Sequence, residues 1–275
     1  MYAHFDADAP IWLIALLEWI DNFARYFLVA APVFAVFWVW GRERFRARLI
    51  QGSYPEARHL RRELLYSIST AAVFAVGGTV LFYGAHAGVF LLYLDVAERG
   101  WAYLVVSALA LIVLQDAYFY WTHRAMHHPL LYKRVHRVHH LSTNPSPWAA
   151  YAFAPAEAAV HAAFVLLVAP WLPLHPLALL FWLVFMIVRN VLGHLSMELY
   201  PSGFTRHSVG RWHTTTTHHN MHHRRGCANF GLYFTFWDEL MGTTHRDYER
   251  EFEEVATRAQ PSERGAPSPP LDASV

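Results

Sequence analysis

The 275-residue chain has one cysteine, Cys227, and one lysine, Lys133; every other basic residue is arginine. A single cysteine excludes an intrachain disulfide, a thiolate zinc site and a cysteine-ligated iron–sulfur cluster. Charge of either sign is scarce. Asp, Glu, Lys and Arg make up 16% of the residues, against about 25% in soluble domains. That is too little for a basic nucleic-acid-binding domain, so no nucleic-acid partner is expected, and a hydrophobic content of 55% is too high for a disordered chain. There is no GxGxxG, no P-loop and no CxxCH, so no flavin, nicotinamide or haem carrier of recognisable type is built in. The first ten residues hold Asp6 and Asp8 and no Lys or Arg, unlike a secretory signal.

Long apolar runs are abundant. Leu64 to Leu94 and Ala158 to Val188 are each 31 residues without a formal charge. Crossing a bilayer core takes about 20 apolar residues in a helix. Trp101 to Gln115 reaches spanning length with Ala117 to Trp121 beyond Asp116, and Phe23 to Trp40 is interrupted only by Arg25. Ile11 to Ile20, which carries Glu18, reads as an interfacial helix or an extension of the first span. Pro170, Pro173 and Pro176 break the second long run into a hairpin. The expected fold is therefore all-α, a polytopic bundle of about four to five spans, one of them this proline-broken hairpin. Residues 1–258 read as one membrane-embedded domain, and 259–275, rich in Pro, Ser, Glu and Ala, as a disordered tail.

Arginine placement sets the expected sidedness. Residues 42–63 contain seven Arg and three Glu, whereas 95–100 contain Asp95, Glu98 and one Arg. The first loop is then cytosolic and the second external, and alternation puts 122–157 and everything after about Arg189 in the cytosol. The arginine skew fits a GC-rich genome and says little about function; the membrane expected is a bacterial inner membrane rather than an endoplasmic reticulum.

The histidines are concentrated on that face: 11 of 19 fall within residues 123–140 and 213–223. His123 and His127 are spaced i, i+4; His136, His139 and His140 are spaced i, i+3, i+4; and His219, His222 and His223 repeat that pattern. On a helix, residues three and four apart share a face, so each triplet aims its imidazoles one way. Neutral imidazole is the commonest metal ligand, and eight converging rings exceed the needs of one tetrahedral ion, so two ions are expected. Asp116 lies two turns before His123 on the same helix face, where its carboxylate can accept the imidazole N–H. His4, His59, His86, His161 and His175 lack partners at helical spacing and read as interfacial or packing residues, His207 and His245 as surface residues, and Cys227 as a packed small side chain. An all-imidazole set suits iron or zinc among others. A membrane metallohydrolase with zinc-activated water, a metal transporter or sensor, and a bis-His haem protein remain in the field beside an oxidase. The missing HExxH speaks against the first, the location of the histidines at span ends against the second, and the dense triplets against the third.

Asp116-Ala-Tyr-Phe-Tyr-Trp-Thr-His123-Arg-Ala-Met-His127, His136-Arg-Val-His139-His140 and Thr217-His218-His219-Asn-Met-His222-His223 resemble the three histidine boxes of the fatty acid hydroxylase / sterol desaturase superfamily. Asn229-Phe230-Gly231 and Trp237-Asp238-Glu239-Leu240-Met241-Gly242-Thr243 resemble its closing segment, giving a histidine-box core at 116–245. Asn144 to Trp148 and Phe153 to Glu157 lean towards the sterol C5-desaturase branch, with Ala154-Pro155 where that branch usually has His-Pro. The resemblance implies two non-haem irons held by His123, His127, His136, His139, His140, His219, His222 and His223. His194 follows the hairpin where relatives supply a further ligand. Glu198 is implied either as a ligand or as the partner of a ligand's second nitrogen, and His128, His218 and Asp238 as residues supporting the ligands. The implied activity is O2-dependent hydroxylation or desaturation of a lipid, with two electrons from an external ferredoxin or cytochrome b5-like carrier.

Overall fold

The computed structural model describes residues 8–258; the expected tail at 259–275, like His4 and Asp6, lies outside them. Every named element among the described residues is helical, with three isolated backbone bridges and no strand. Four helices are long and apolar enough to cross a membrane. The first comprises α1 (Ile11–Phe34) continuing into a π-helical segment (Ala35–Trp40), so Ile11 to Ile20 is an extension of the span. The others are α2 (Ala57–His86), α3 (Gly100–Met126) and α7 (Pro176–Gly193). Their outward faces carry exposed Leu28, Val106, Val113 and Phe181, as lipid-facing helices require. The protein is a multi-pass membrane protein.

The proline-broken hairpin is present, with unequal arms. Its first arm, α6 (Pro155–Val168), has 14 residues and rises about 21 Å, short of the roughly 30 Å core. Its tip is not left with bare backbone. Leu91 N–H donates to the Ala169 carbonyl at 2.9 Å, and Leu174 N–H donates to the Leu91 carbonyl at 2.7 Å. Pairing of this kind is what lets non-helical backbone lie at the far end of a bundle. Pro176 then starts α7 at a position where its missing N–H costs nothing, and the His175 ring accepts the Leu177 N–H.

At the opposite end of the bundle, short helices form a cap: α4 (Pro129–Val135), α5 (Arg137–His140), α8 (Thr216–Arg225), α9 (Phe236–Leu240) and α10 (Tyr248–Arg258). α8 has eight consecutive buried residues, Thr216 to His223. Thr215 caps its N-terminus, and Gly226, at φ +66°, ends it in a left-handed turn. Cys227, just beyond, is exposed. It is not the packed side chain expected, because it lies past the helix end on the cap surface.

Candidate metal centre

α3, α4–α5, α7 and α8 all deliver histidines to one place between the bundle and its cap. His123, His127, His136, His140 and His222 bring one ring nitrogen each within 4.8 Å of the others, and His139, His194, His219 and His223 do the same beside them. All nine expected rings are thus brought together, as two adjoining groups. The triplets are not assigned one per group. His136 and His140 enter the first group while His139 enters the second; His219 and His223 enter the second while His222 enters the first. Residues i and i+4 stay together and the i+3 ring crosses, because i+3 and i+4 differ by about 100° around a helix.

The nitrogen contacts discriminate between a packed histidine core and a cation site. In the first group Nε2···Nε2 separations are 3.0 Å for His123–His136, His136–His140 and His140–His222, and 3.1 Å for His127–His222. In the second they are 3.0 Å for His194–His219, 3.1 Å for His219–His223, 3.2 Å for His194–His223 and 3.4 Å for His139–His194. The outer nitrogens of four rings are already engaged. His123 Nδ1 faces the Phe230 carbonyl at 2.9 Å, and His222 Nδ1 faces that of Ala228 at 2.8 Å. His194 Nδ1 faces the Asn190 carbonyl at 2.7 Å, and His136 Nδ1 faces Glu157 Oε1 at 2.7 Å. The three carbonyls assign the proton to Nδ1 and leave a lone pair at Nε2 of His123, His222 and His194. His123, His222 and His194 therefore aim lone pairs into their groups, where a cation can accept them. Metal–imidazole bonds of about 2.1 Å subtend N···N edges of roughly 3.0 Å in an octahedron and roughly 3.4 Å in a tetrahedron, the range observed here. The donor set fits a pair of transition-metal ions.

Burial keeps the rings in the binding form. It pulls His140 down to about 3, with neighbouring His127 adding to the effect, and His127 and His194 down to about 4. His139, His219, His222 and His223 go well below their ordinary value for the same reason, reinforced by one another. At neutral pH these rings are uncharged.

The residues expected to support the ligands do other things. Asp116 does not meet His123: its carboxylate accepts the backbone N–H groups of Tyr233 at 2.8 Å and Phe234 at 3.2 Å. It steadies the segment that carries Phe230, whose carbonyl holds His123. Asp238 serves the same segment, accepting Phe230 N–H at 2.9 Å, Gly231 N–H at 2.7 Å and the Thr243 hydroxyl at 2.7 Å. Burial raises the Asp238 carboxyl, but nearby His218, Thr243 and these N–H groups outweigh it and hold it below its usual range. His218 Nε2 lies 3.3 Å from Asp238 and its ring meets Tyr248 at 5.1 Å, joining neither group. Glu198 is no ligand. It accepts Thr217 N–H at 3.0 Å, the Thr217 hydroxyl at 2.7 Å and Tyr200 N–H at 3.1 Å, an anion clamped at the N-terminus of α8. His128 is exposed and caps α4 through Leu130 N–H, remote from this role.

One supporting residue escaped the sequence reading: Glu157, 1% exposed on α6, which holds His136. Its signal was an acid inside an apolar helix, four residues before His161. His161 Nε2 lies 3.7 Å from the same carboxylate oxygen, so His161 is more than the isolated packing residue expected. Its ring stacks on Phe119 at 5.5 Å and meets Phe153 at 4.8 Å. Phe119 in turn contacts His123 at 4.7 Å, and Phe153 contacts His139 at 5.0 Å. These three rings close one side of a cavity of about 510 Å³ that runs between the spans to Leu94 and Pro176. The cavity is thereby separated from each histidine group by a single aromatic layer.

Residues 108–243 match the family model described as fatty acid hydroxylase. The chain is 34% identical over 165 residues to a Delta(7)-sterol 5(6)-desaturase of Gibberella zeae, covering 60% of this chain and 49% of that protein. It is 30% identical to a Delta(7)-sterol 5(6)-desaturase of Aspergillus fumigatus, covering 68% and 63%, and 29% identical to lathosterol oxidase of Rattus norvegicus, covering 66% and 60%. The chain thus spans about half to three fifths of the length of these relatives. No solved structure matches it.

Proposed function

Because the chain belongs to the fatty acid hydroxylase / sterol desaturase superfamily, on its sterol-desaturase-like side, we propose that it is an O2-dependent oxidoreductase that hydroxylates or desaturates a lipid. His123, His127, His136, His140 and His222 would hold one iron, and His139, His194, His219 and His223 the other. With O2 and two electrons from outside, the pair of irons supplies an oxidant strong enough to remove hydrogen from an unactivated C–H bond. The observation that carries the reading is the convergence of nine histidine rings in two groups, with the Nε2 lone pairs of His123, His222 and His194 fixed from behind by the carbonyls of Phe230, Ala228 and Asn190.

The chain's own residues do the rest. The carbonyls of Phe230, Asn190 and Ala228 and the Glu157 carboxylate hold ring orientation and tautomer. The apolar cavity admits a lipid from the bilayer and excludes water from the reacting carbon, which would sit against Phe119 and Phe153. No side chain is required as a nucleophile. Glu157, the acid nearest the first group, is engaged by His136 and so is not free to activate water as a hydrolase would need. Exposed Lys133, Arg134 and Arg137 on α4 and α5 offer a cationic surface beside the histidines for an acidic electron carrier of ferredoxin or cytochrome b5-like type. By the positive-inside rule this face is cytosolic, and we read the membrane as a bacterial inner membrane.

The test is metal analysis and turnover of the purified chain. About two irons per chain, with reductant-dependent O2 uptake and lipids that gain one oxygen or lose two hydrogens by mass spectrometry, is the expected result. Two zinc ions and no O2 uptake would sink the proposal.

A further inference from the structure

The two histidine groups are held differently. In the first, the rings of His123, His136 and His222 are fixed from behind by Phe230, Glu157 and Ala228. In the second, His194 has such an acceptor, the Asn190 carbonyl of its own helix, whereas the Nδ1 atoms of His139 and His223 are buried with no partner. Rings with no acceptor behind them point where their backbone carries them. The second group therefore depends on how its three chain segments are joined: the end of α5, the turn after α7, and α8.

Those segments meet at Asn144, in the loop that follows α5. Its Oδ1 accepts the Ser196 hydroxyl at 2.8 Å and Asn220 Nδ2–H at 3.3 Å. Ser196 lies just past His194, and Asn220 lies between His219 and His222; both are wholly buried. One amide oxygen, with its two lone pairs, thus ties all three segments together. A strap from between the first and second spans closes the joint. Asn144 Nδ2–H donates to the Ser53 carbonyl at 2.8 Å. Gln51 donates to the Thr143 carbonyl at 2.8 Å and to Asn220 Oδ1 at 2.9 Å, and Ile50 N–H donates to the Ser196 carbonyl at 3.0 Å. Ser196 itself stands at φ +62°, a left-handed conformation uncommon outside glycine. Such a residue persists where its surroundings over-determine it, and here its bonds to Asn144, Pro145 and Ile50 do so. None of the acceptors behind the first group belongs to this joint.

We propose that Asn144 is a positioning residue for the second histidine group. Through Ser196 and Asn220 it fixes His194 relative to His139, His219 and His223, and so sets the shape of one metal site and not the other. The inference rests on the metal-binding part of the proposed function and is independent of the lipid oxidation.

The test reads Co2+ binding, which needs neither O2 nor turnover. The purified full-length chain is stripped of metal and titrated with Co2+ against a competing chelator, and the visible absorption of the bound ion reports its geometry. In the His222→Ala chain, which keeps the second group, Asn144→Leu should weaken Co2+ binding about ten-fold, the low end of what losing a supporting partner costs a metal site, and should shift the absorption. In the His219→Ala chain, which keeps the first group, the same substitution should leave affinity and absorption as they were. Asn144→Asp, which still offers an acceptor to Ser196 and Asn220, should restore the second site. Equal weakening in both chains would make Asn144 a general structural residue, and no weakening in either would remove it from the site; each result overturns the proposal. A parent chain that binds no Co2+ would remove the metal centre itself and the joint's role with it. Selective weakening in a chain that oxidises no lipid would leave Asn144 in its role and remove the oxidase reading alone.

Discussion

Glu157 on α6 and His136 at the start of α5 meet at 2.7 Å, both 1% exposed, and the opposite nitrogen of the same ring lies 3.0 Å from His123. A short apolar arm that never crosses the membrane thus reaches back to orient a ring of the first histidine group. The second Glu157 oxygen is buried without a partner, so this carboxylate is held for His136 at a cost in desolvation.

Glu157→Ala should weaken metal binding about 10- to 100-fold, the usual effect of deleting an acceptor behind a metal-bound imidazole. Glu157→Gln, which can still accept through its amide oxygen, should lose less. Metal titration of the purified variants checks both. Full affinity in the alanine variant would remove Glu157 from the site.

The crossing of rings between groups makes a distinctive prediction for α8. His222→Ala should empty the group of His123 and His136, and His219→Ala the group of His139 and His194, each costing about one of two ions per chain and essentially all turnover. His128→Ala should leave metal content unchanged, because that ring is exposed and caps α4. Metal counts per chain separate these outcomes, and equal loss in all three variants would contradict the assignment.

Glu198→Ala should destabilise the protein by about 3 kcal/mol, since it strands the Thr217 and Tyr200 N–H groups and the Thr217 hydroxyl. Glu198→Gln should retain both metals at a smaller stability loss, because no ring of either group touches the carboxylate. Thermal unfolding read beside metal content decides between a clamp on α8 and a ligand.

The pH dependence follows from burial. His127, His140 and His194 titrate at about 4, 3 and 4 when folded and near 6.5 when unfolded. Between those values the unfolded chain holds more protons, so stability rises with pH. The metal-free protein should therefore lose stability as pH falls from about 6.5 towards 4, by roughly 1.4 kcal/mol per pH unit for each ring kept neutral. Metal should be released over the same range as protons compete for Nε2. Unfolding midpoints of metal-free and loaded protein between pH 8 and pH 5 test this; a flat profile for the metal-free protein would refute it.

Much of the molecule was legible along the chain, because hydrophobic run length and i, i+3, i+4 spacing are local properties. The spans, the proline hairpin and eight of the nine converging histidines follow from them, His194 being added by the family resemblance, and so does the concentration of those histidines at one end of the bundle. What local spacing cannot encode is which distant atom stands behind each ring. Asp116 lies on the helix of His123 yet bonds Tyr233 and Phe234, while the true acceptor is a carbonyl, Phe230, with no side-chain signature at all. Glu157 becomes a partner of His136 only once α6 folds back beside α5. The division of each triplet between two groups likewise arises only when α5 and α8 face each other, since a ring's neighbours across a helix pair are set by packing geometry. Which histidines converge was written in sequence; their division into groups, their support and the cavity beside them were decided by tertiary contact, because each depends on groups far apart in the chain sharing one buried, water-poor space.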